Sequence, residues 1–314
     1  MSIIERMAEL LGSVPQTHQK PSAAGEGADT QERDLIERVA GNLSRRPNLP
    51  GEKGLAGDPR ARDRSARPIG RPARTHKVDR DRLRRQSMIA PDGERTLIAE
   101  SFRRVKRQIL ANVANPKPGA PPPNLVLVTS ALPGEGKTFC AVNLAISIAL
   151  EMDRTVLLVD ADVAKPSVPQ ALGLEPGKGL MDVLLDRRID PAEVLLKLDI
   201  GKLTLMPAGT AQKHATELLA SDAMRELLHE MADRYHDRII IFDSPPLLAA
   251  SEAGVLASQV GQIVVVVEAG KTSEGVLKDA LGRIDSSKVT GLLLNKGEIP
   301  GLGYGYGYGY GGHG

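Results

Sequence analysis

The sequence predicts a doubly wound α/β fold, a mostly parallel sheet flanked by helices, and three observations carry that expectation. Short continuous runs of Val, Ile and Leu recur along the second half of the chain: NLVLVTS, TVLLVD, KLTLMP, RIIIFD, QIVVVVE and VTGLLLN. Strands buried on both faces of a parallel sheet read this way. Helix-like stretches separate several of these runs, as crossover connections require. Aromatic residues make up only 3% of the 314 residues, with no Trp and 3 Phe, so the core is aliphatic.

In chain order, residues 1–44 carry two apolar stripes at helical spacing, Ile3, Ile4, Met7, Leu10 and Leu11, then Leu35, Ile36, Val39 and Leu43. They read as short amphipathic helices and a candidate docking segment. Residues 45–78 read as a disordered basic linker: residues 41–90 hold 14 basic against 5 acidic side chains, with many Pro, Gly and Arg and little apolar periodicity. Residues 79–300 read as the globular domain. Its first long helix covers Leu97 to Leu110, and the prolines of NPKPGAPPP stop it and deliver the chain to NLVLVTS. Further helices are expected near Lys137 to Glu151, Ala215 to Tyr235 and Ser273 to Asp285. Residues 301–314, GLGYGYGYGYGGHG, read as a flexible Gly/Tyr tail. Strand order is not legible in a single sequence.

Composition narrows the function classes. Overall, 41 basic and 39 acidic residues nearly cancel, which is not the balance of a nucleic-acid-binding protein, so no specific nucleic-acid partner is expected. The single cysteine, Cys140, excludes an intrachain disulfide framework and a Cys-cluster zinc site, and favours a reducing compartment. No stretch supplies the roughly 18 uncharged apolar residues of a membrane span. Glu5, Arg6 and Glu9 interrupt any secretory h-region, so a cytoplasmic location is expected.

The chemistry concentrates where NLVLVTS runs into ALPGEGKT and then into the helical FCAVNLAISIAL. Ala131, four further residues and then Gly136, Lys137 and Thr138 fit the phosphate-loop pattern between strand and helix, which makes the expected fold a P-loop NTPase. Small residues let successive backbone N–H groups face one anion, so Gly134, Glu135, Gly136, Lys137, Thr138 and Phe139 are the candidate ATP-binding residues. The Lys137 ammonium reaches the β and γ phosphates, and the Thr138 hydroxyl is placed for Mg2+. Asp160 and Asp162 follow one buried run and Asp243 ends another, at the sheet edge where α/β proteins bind ligands. A lone Asp at a strand end is commonly a helix cap. Three of them with a phosphate loop point instead to a cation that offsets their desolvation.

Tyr304, Tyr306, Tyr308 and Tyr310 alternate strictly with glycine in the tail. Such a segment can serve solubility or self-association. Beside a triphosphate site it can also serve as a phosphoacceptor. A phenol has a pKa near 10, so transfer to it needs a carboxylate nearby, and Asp160 and Asp162 are candidates.

ALPGEGKT, VLLVDADVAKPS, IIIFDSPP and the terminal tyrosines together resemble the bacterial tyrosine kinases, most closely the stand-alone cytoplasmic autokinases of exosortase and exopolysaccharide systems. The resemblance spans about residues 79–314. It implies an ATP-dependent tyrosine autokinase in which Lys137 contacts phosphates, Thr138, Asp162 and Asp243 hold Mg2+, Asp160 orients or deprotonates the tyrosine, and Asn295 contacts adenine. AESFRRVKRQIL is similar to the family's ring-forming interface helix, with Glu100 and Arg103 matching and Lys106 in place of the second Arg. A solvated helix with an i,i+3 ion pair reads the same way. In the DADVAKP segment, Ala164 and Lys165 stand near where many members have Arg. The resemblance further implies a membrane-embedded polysaccharide chain-length-determinant protein as partner, recruitment to the inner face of the membrane, a homo-oligomeric ring and an opposing tyrosine phosphatase. Partitioning and septum-site ATPases share the fold, but they carry an additional lysine early in the loop where this chain has Leu132. A switch ATPase and a non-catalytic nucleotide-binding regulator of a polysaccharide exporter remain the alternative classes.

Overall fold

The computed structural model describes residues 75–297 apart from 94–95, 152 and 235–237. The expected helices of 1–44, most of the linker and Tyr304, Tyr306, Tyr308 and Tyr310 lie outside the described residues.

The apolar runs become strands because each can bury both of its faces. β1 (Thr75–His76), β2 (Leu125–Ser130), β3 (Thr155–Asp160), β4 (Leu196–Leu198), β5 (Leu203–Met206), β6 (Arg238–Asp243), β7 (Gln262–Glu268) and β8 (Val289–Asn295) form one sheet in the order β1-β4-β5-β3-β6-β2-β7-β8. Every pairing is parallel except β4 with β5. All six residues of β2 are buried, as are all but the first residue of β3 and β6. All six expected strands are present. β1 and β4, too short to show an apolar run, were not expected.

β1 corrects the expected linker boundary. Thr75 and His76 pair with Lys197 and Leu198, and Val78 is buried with its N–H donating to Asp199 Oδ1 at 2.8 Å. Residues at the end of the stretch 45–78 therefore belong to the sheet and its core. Edge pairing uses backbone groups, which composition does not reveal.

The helices are α1 (Arg80–Arg85), α2 (Leu97–Ala114), α3 (Lys137–Ala149), α4 (Val168–Ala171), α5 (Leu180–Leu185), α6 (Ala215–Leu219), α7 (Asp222–Arg234), α8 (Ser251–Gln259) and α9 (Glu274–Leu281). α2 begins where Thr96 accepts from the Ala99 N–H, and it presents Phe102 and Ile109 inward. α3 is apolar all round and buried from Cys140 to Ala149, because α2 covers the side that the sheet does not. Its Asn143 is buried but satisfied: Oδ1 accepts from the Ile89 N–H at 2.7 Å and Nδ2 donates to the Phe139 carbonyl at 2.8 Å.

The helix expected from Ala215 to Tyr235 is two helices. Ser221 breaks it: its hydroxyl donates to the Leu218 carbonyl and accepts from the Met224 N–H, ending one helix and capping the next. The helix expected up to Asp285 stops at Gly282, and Asp285 instead caps a 3-10 turn at Ser286–Lys288.

Candidate active site at the phosphate loop

The C-terminal ends of β2, β3 and β6 are neighbours in the sheet, so the loop after β2 meets the carboxylates that end the other two. Asp160 and Asp243 stand in register on adjacent strands. Gly134 at φ +87° and Gly136 at φ +95° turn the chain into α3 through left-handed geometry. A side chain at 136 would also collide with the Asn295 amide. Among the described residues, the N–H groups of residues 134–139 donate to no protein acceptor, as the first turn of a helix and a curled loop leave them.

Lys137 Nζ lies 2.9 Å from Asp162 Oδ2, both side chains being nearly buried. The Thr138 hydroxyl donates to Asp243 Oδ2 at 2.7 Å and lies 3.1 Å from the Ser167 hydroxyl. Asp160 Oδ2 accepts from the N–H groups of Ser167 and Val168, each at 3.0 Å. Three aspartates within one dry corner disfavour full ionisation. Burial pushes Asp160 up to about 6 against the pull of those two N–H groups. Burial, with the neighbouring charge of Asp160, pushes Asp243 up to about 8 even though Thr138 donates to it. Burial and the Asp243 charge push Cys140 up to about 12, so its thiol stays protonated and takes no part.

Among the described residues, Asp160 Oδ1 and Asp243 Oδ1 are buried carboxylate oxygens with no hydrogen-bond partner. Orphaned hard donors beside the Thr138 hydroxyl fit Mg2+. Among the described residues no group of three or more His, Cys, Asp or Glu forms a metal cage by itself.

The other residues expected at the site divide. Glu135 is buried at 2% exposure, and its carboxylate accepts from the N–H groups of Leu132 and Glu268 and from the Thr272 hydroxyl. Its side chain thus props the loop, leaving its backbone N–H for a ligand. Phe139, partly buried, packs against the core, its ring 6.4 Å from that of Phe102. Asn295 does reach the loop, where its Nδ2 donates to the Glu135 carbonyl at 2.8 Å.

Glu100, Arg103 and Lys106 lie elsewhere, near the far end of α3. Glu100 and Arg103 pair with each other at 2.6 Å on the exposed side of α2. Lys106 turns inward to Glu151 at 2.6 Å and to the Ser147 carbonyl at 3.3 Å, beside a cleft of about 390 Å3. Sequence reasoning did not single out Ser167, Glu268, Thr272 or Lys296, all of which touch the loop or its aspartates; their residue types carry no spacing signal.

Comparison with known proteins follows the same line. The ParA family profile, described as NUBPL iron-transfer P-loop NTPase, matches residues 123–280. The tyrosine-protein kinase YwqD of Bacillus subtilis is 33% identical over 67% of this chain and 86% of its own length. The succinoglycan biosynthesis transport protein ExoP of Rhizobium meliloti is 36% identical over 70% of this chain, which spans only 28% of that longer protein. The kinase domain of the Escherichia coli tyrosine kinase ETK superposes with a TM-score of 0.58 at 25% identity, covering 74% of this chain and 93% of that one. With a phosphate loop flanked by aspartates on adjacent strand ends and a relative, YwqD, matched over 86% of its own length, the chain belongs to the bacterial tyrosine-protein kinases, built on the P-loop NTPase fold.

Proposed function

We propose that this kinase transfers the γ-phosphoryl group of ATP to its own C-terminal tyrosines, Tyr304, Tyr306, Tyr308 and Tyr310, and that it acts in exopolysaccharide synthesis or export. The observation that carries the reading is the meeting of Lys137, Thr138, Asp160, Asp162 and Asp243 at one loop, against which the strand leading to the tail also ends.

The unpaired N–H groups of residues 134–139 receive the phosphates, and Lys137 exchanges Asp162 for phosphate oxygens. Thr138, Asp162 and Asp243 would hold Mg2+, which when bound neutralises charge on the phosphates. Asn295 borders the adenine. The tyrosine oxygen forms the new O–P bond as the bond from the γ phosphorus to the β–γ bridging oxygen breaks, ADP departs, and the phenol proton passes to Asp160. A carboxylate raised to about 6 is matched to that task near neutral pH. Asp160 is fully buried, so the phenol reaches it only when the residues around it, among them Ser167 and Val168, give way.

The docking segment 1–44, a membrane-embedded chain-length-determinant partner at the inner face of the membrane, a ring of copies and an opposing tyrosine phosphatase complete the proposal. Glu100 and Arg103 are exposed enough to meet a neighbouring copy, whereas Lys106 serves its own chain.

A partitioning-type switch ATPase is the second reading, favoured by the ParA profile match alone. Incubation with ATP and Mg2+ followed by intact mass measurement separates the two. Phosphate mass that is gained by the full chain and lost on removing residues 303–314 is expected. Release of ADP and free phosphate with no mass gain selects the switch ATPase.

A further inference from the structure

Two consecutive side chains at the end of β8 hold two consecutive peptide groups of the phosphate loop. Asn295 Nδ2 donates to the Glu135 carbonyl at 2.8 Å, and the Lys296 ammonium donates to the Gly134 carbonyl at 2.7 Å. In a trans peptide the C=O and the following N–H point in opposite directions, and no described peptide is cis. Carbonyls drawn outward to β8 therefore turn the N–H groups of Glu135 and Gly136 to the other side of the loop. Those N–H groups donate to no acceptor among the described residues, as a phosphate cradle requires.

Lys296 is held for this purpose from behind. Its ammonium lies 3.3 Å from Glu268 Oε1, while Glu268 Oε2 takes Lys271 at 3.3 Å. The Glu268 N–H in turn donates to the Glu135 carboxylate at 3.3 Å, and the Ala269 N–H to the Asn295 carbonyl at 2.9 Å. Lys296 also sits at φ +59°, a left-handed conformation that a lysine adopts only at a cost in strain. Nothing in the core demands a lysine there, since its side chain is 46% exposed.

We infer that Lys296 is a positioning residue of the nucleotide site: by fixing the Gly134–Glu135 peptide it aims a backbone N–H at the polyphosphate without touching it. The inference rests on the nucleotide-binding reading above. It assigns Lys296 to the phosphates shared by ATP and ADP rather than to the transferred group.

Replacement by glycine is the informative variant, because glycine accepts φ +59° and so removes the ammonium with its alkyl stem without adding backbone strain. Affinities for ATP and for ADP, each with Mg2+, are measured by calorimetry for the full-length wild type, Lys296→Gly and Lys296→Arg, along with the melting temperature of each without nucleotide. Lys296→Gly should weaken both nucleotides by the same factor, about tenfold, the range for losing one charge-assisted hydrogen bond at a partly exposed site. Its melting temperature should stay within about 2 °C of wild type, since the side chain lost is half-exposed and glycine suits the backbone there. Lys296→Arg, which retains a cationic donor, should recover most of the affinity. Unchanged affinity in Lys296→Gly, or a loss confined to ATP, overturns the inference while leaving nucleotide binding in place. A fall in melting temperature that Lys296→Arg does not reverse also overturns it, as does arginine failing to restore binding. A wild type that binds neither nucleotide overturns the parent reading, a distinct result.

Discussion

At the scale of single residues, carboxylates in this domain serve opposite ends according to what surrounds them. Asp160 and Asp243 are driven upward by burial first and then by neighbouring carboxylates, Asp162 acting on Asp160 and Asp160 with Asp162 on Asp243, whereas Asp182 is held below the usual carboxylate range. Desolvation alone would raise Asp182, but it accepts three hydrogen bonds that together outweigh it: from Gly179 N–H at 2.9 Å, Thr210 N–H at 3.0 Å and the Thr210 hydroxyl at 2.7 Å. A folded-state pKa below the unfolded one contributes stability above pH of about 4, and that contribution is lost as pH falls through the folded value. Asp182→Asn should thus cost about 1–2 kcal/mol at pH 7, with the gap from wild type narrowing by pH 3. Urea midpoints at the two pH values check this; an equal gap at both would show that ionisation of Asp182 contributes nothing. Asp182 also shows where the reading of residues stopped. Nothing local in KGLMDVLLD signals that Thr210, 28 positions away, is its partner.

At the scale of elements, apolar periodicity located the strands and polar residues decided how they were joined. Gln262, at the start of β7 and 2% exposed, uses both ends of its amide. Its Nε2 donates to the Pro123 carbonyl at 2.6 Å and to the Ile109 carbonyl at 3.2 Å. Its Oε1 accepts from Asn112 Nδ2 at 2.8 Å and from the Thr290 hydroxyl at 2.9 Å. One side chain thereby fastens β7 to α2, to β8 and to the proline loop that feeds β2. Gln262→Leu keeps the volume and strands these partners, so it should destabilise the domain by about 2–4 kcal/mol in urea unfolding. A change below about 0.5 kcal/mol, the scale of an ordinary surface substitution, would mean the hub is dispensable. The helix boundaries teach the same lesson. Ser221 and Gly282 ended helices that the apolar pattern alone would have continued, because local hydrogen bonding and chain freedom compete with periodicity.

At the scale of the whole molecule, chain length makes transfer between copies feasible. Extended, the residues from Asn295 to Tyr304 span about 30 Å and those to Tyr310 about 50 Å, against a width of roughly 40 Å for a domain of this size. Phosphates on tyrosines two residues apart, about 7 Å when extended, repel by roughly 2 kcal/mol in water before screening, so heavy phosphorylation should oppose tail docking. Mixing a Lys137→Met chain that keeps its tail with an active chain lacking 301–314 should place label on the inactive partner. An unlabelled partner would confine transfer to a single chain. The sequence by itself determined the doubly wound architecture, the phosphate loop with Lys137 and Thr138, and the strand-end aspartates, because buried parallel strands and anion cradles demand particular residue types at close spacing. Only the tertiary structure decided the strand order, the inclusion of Thr75 and His76 in the sheet, the inward turn of Lys106 to Glu151, the buried prop of Glu135 and the grip of Asn295 and Lys296 on the loop. Those contacts join residues as many as 162 positions apart, and a hydrogen bond or an ion pair across such a separation leaves no periodicity in the chain to read.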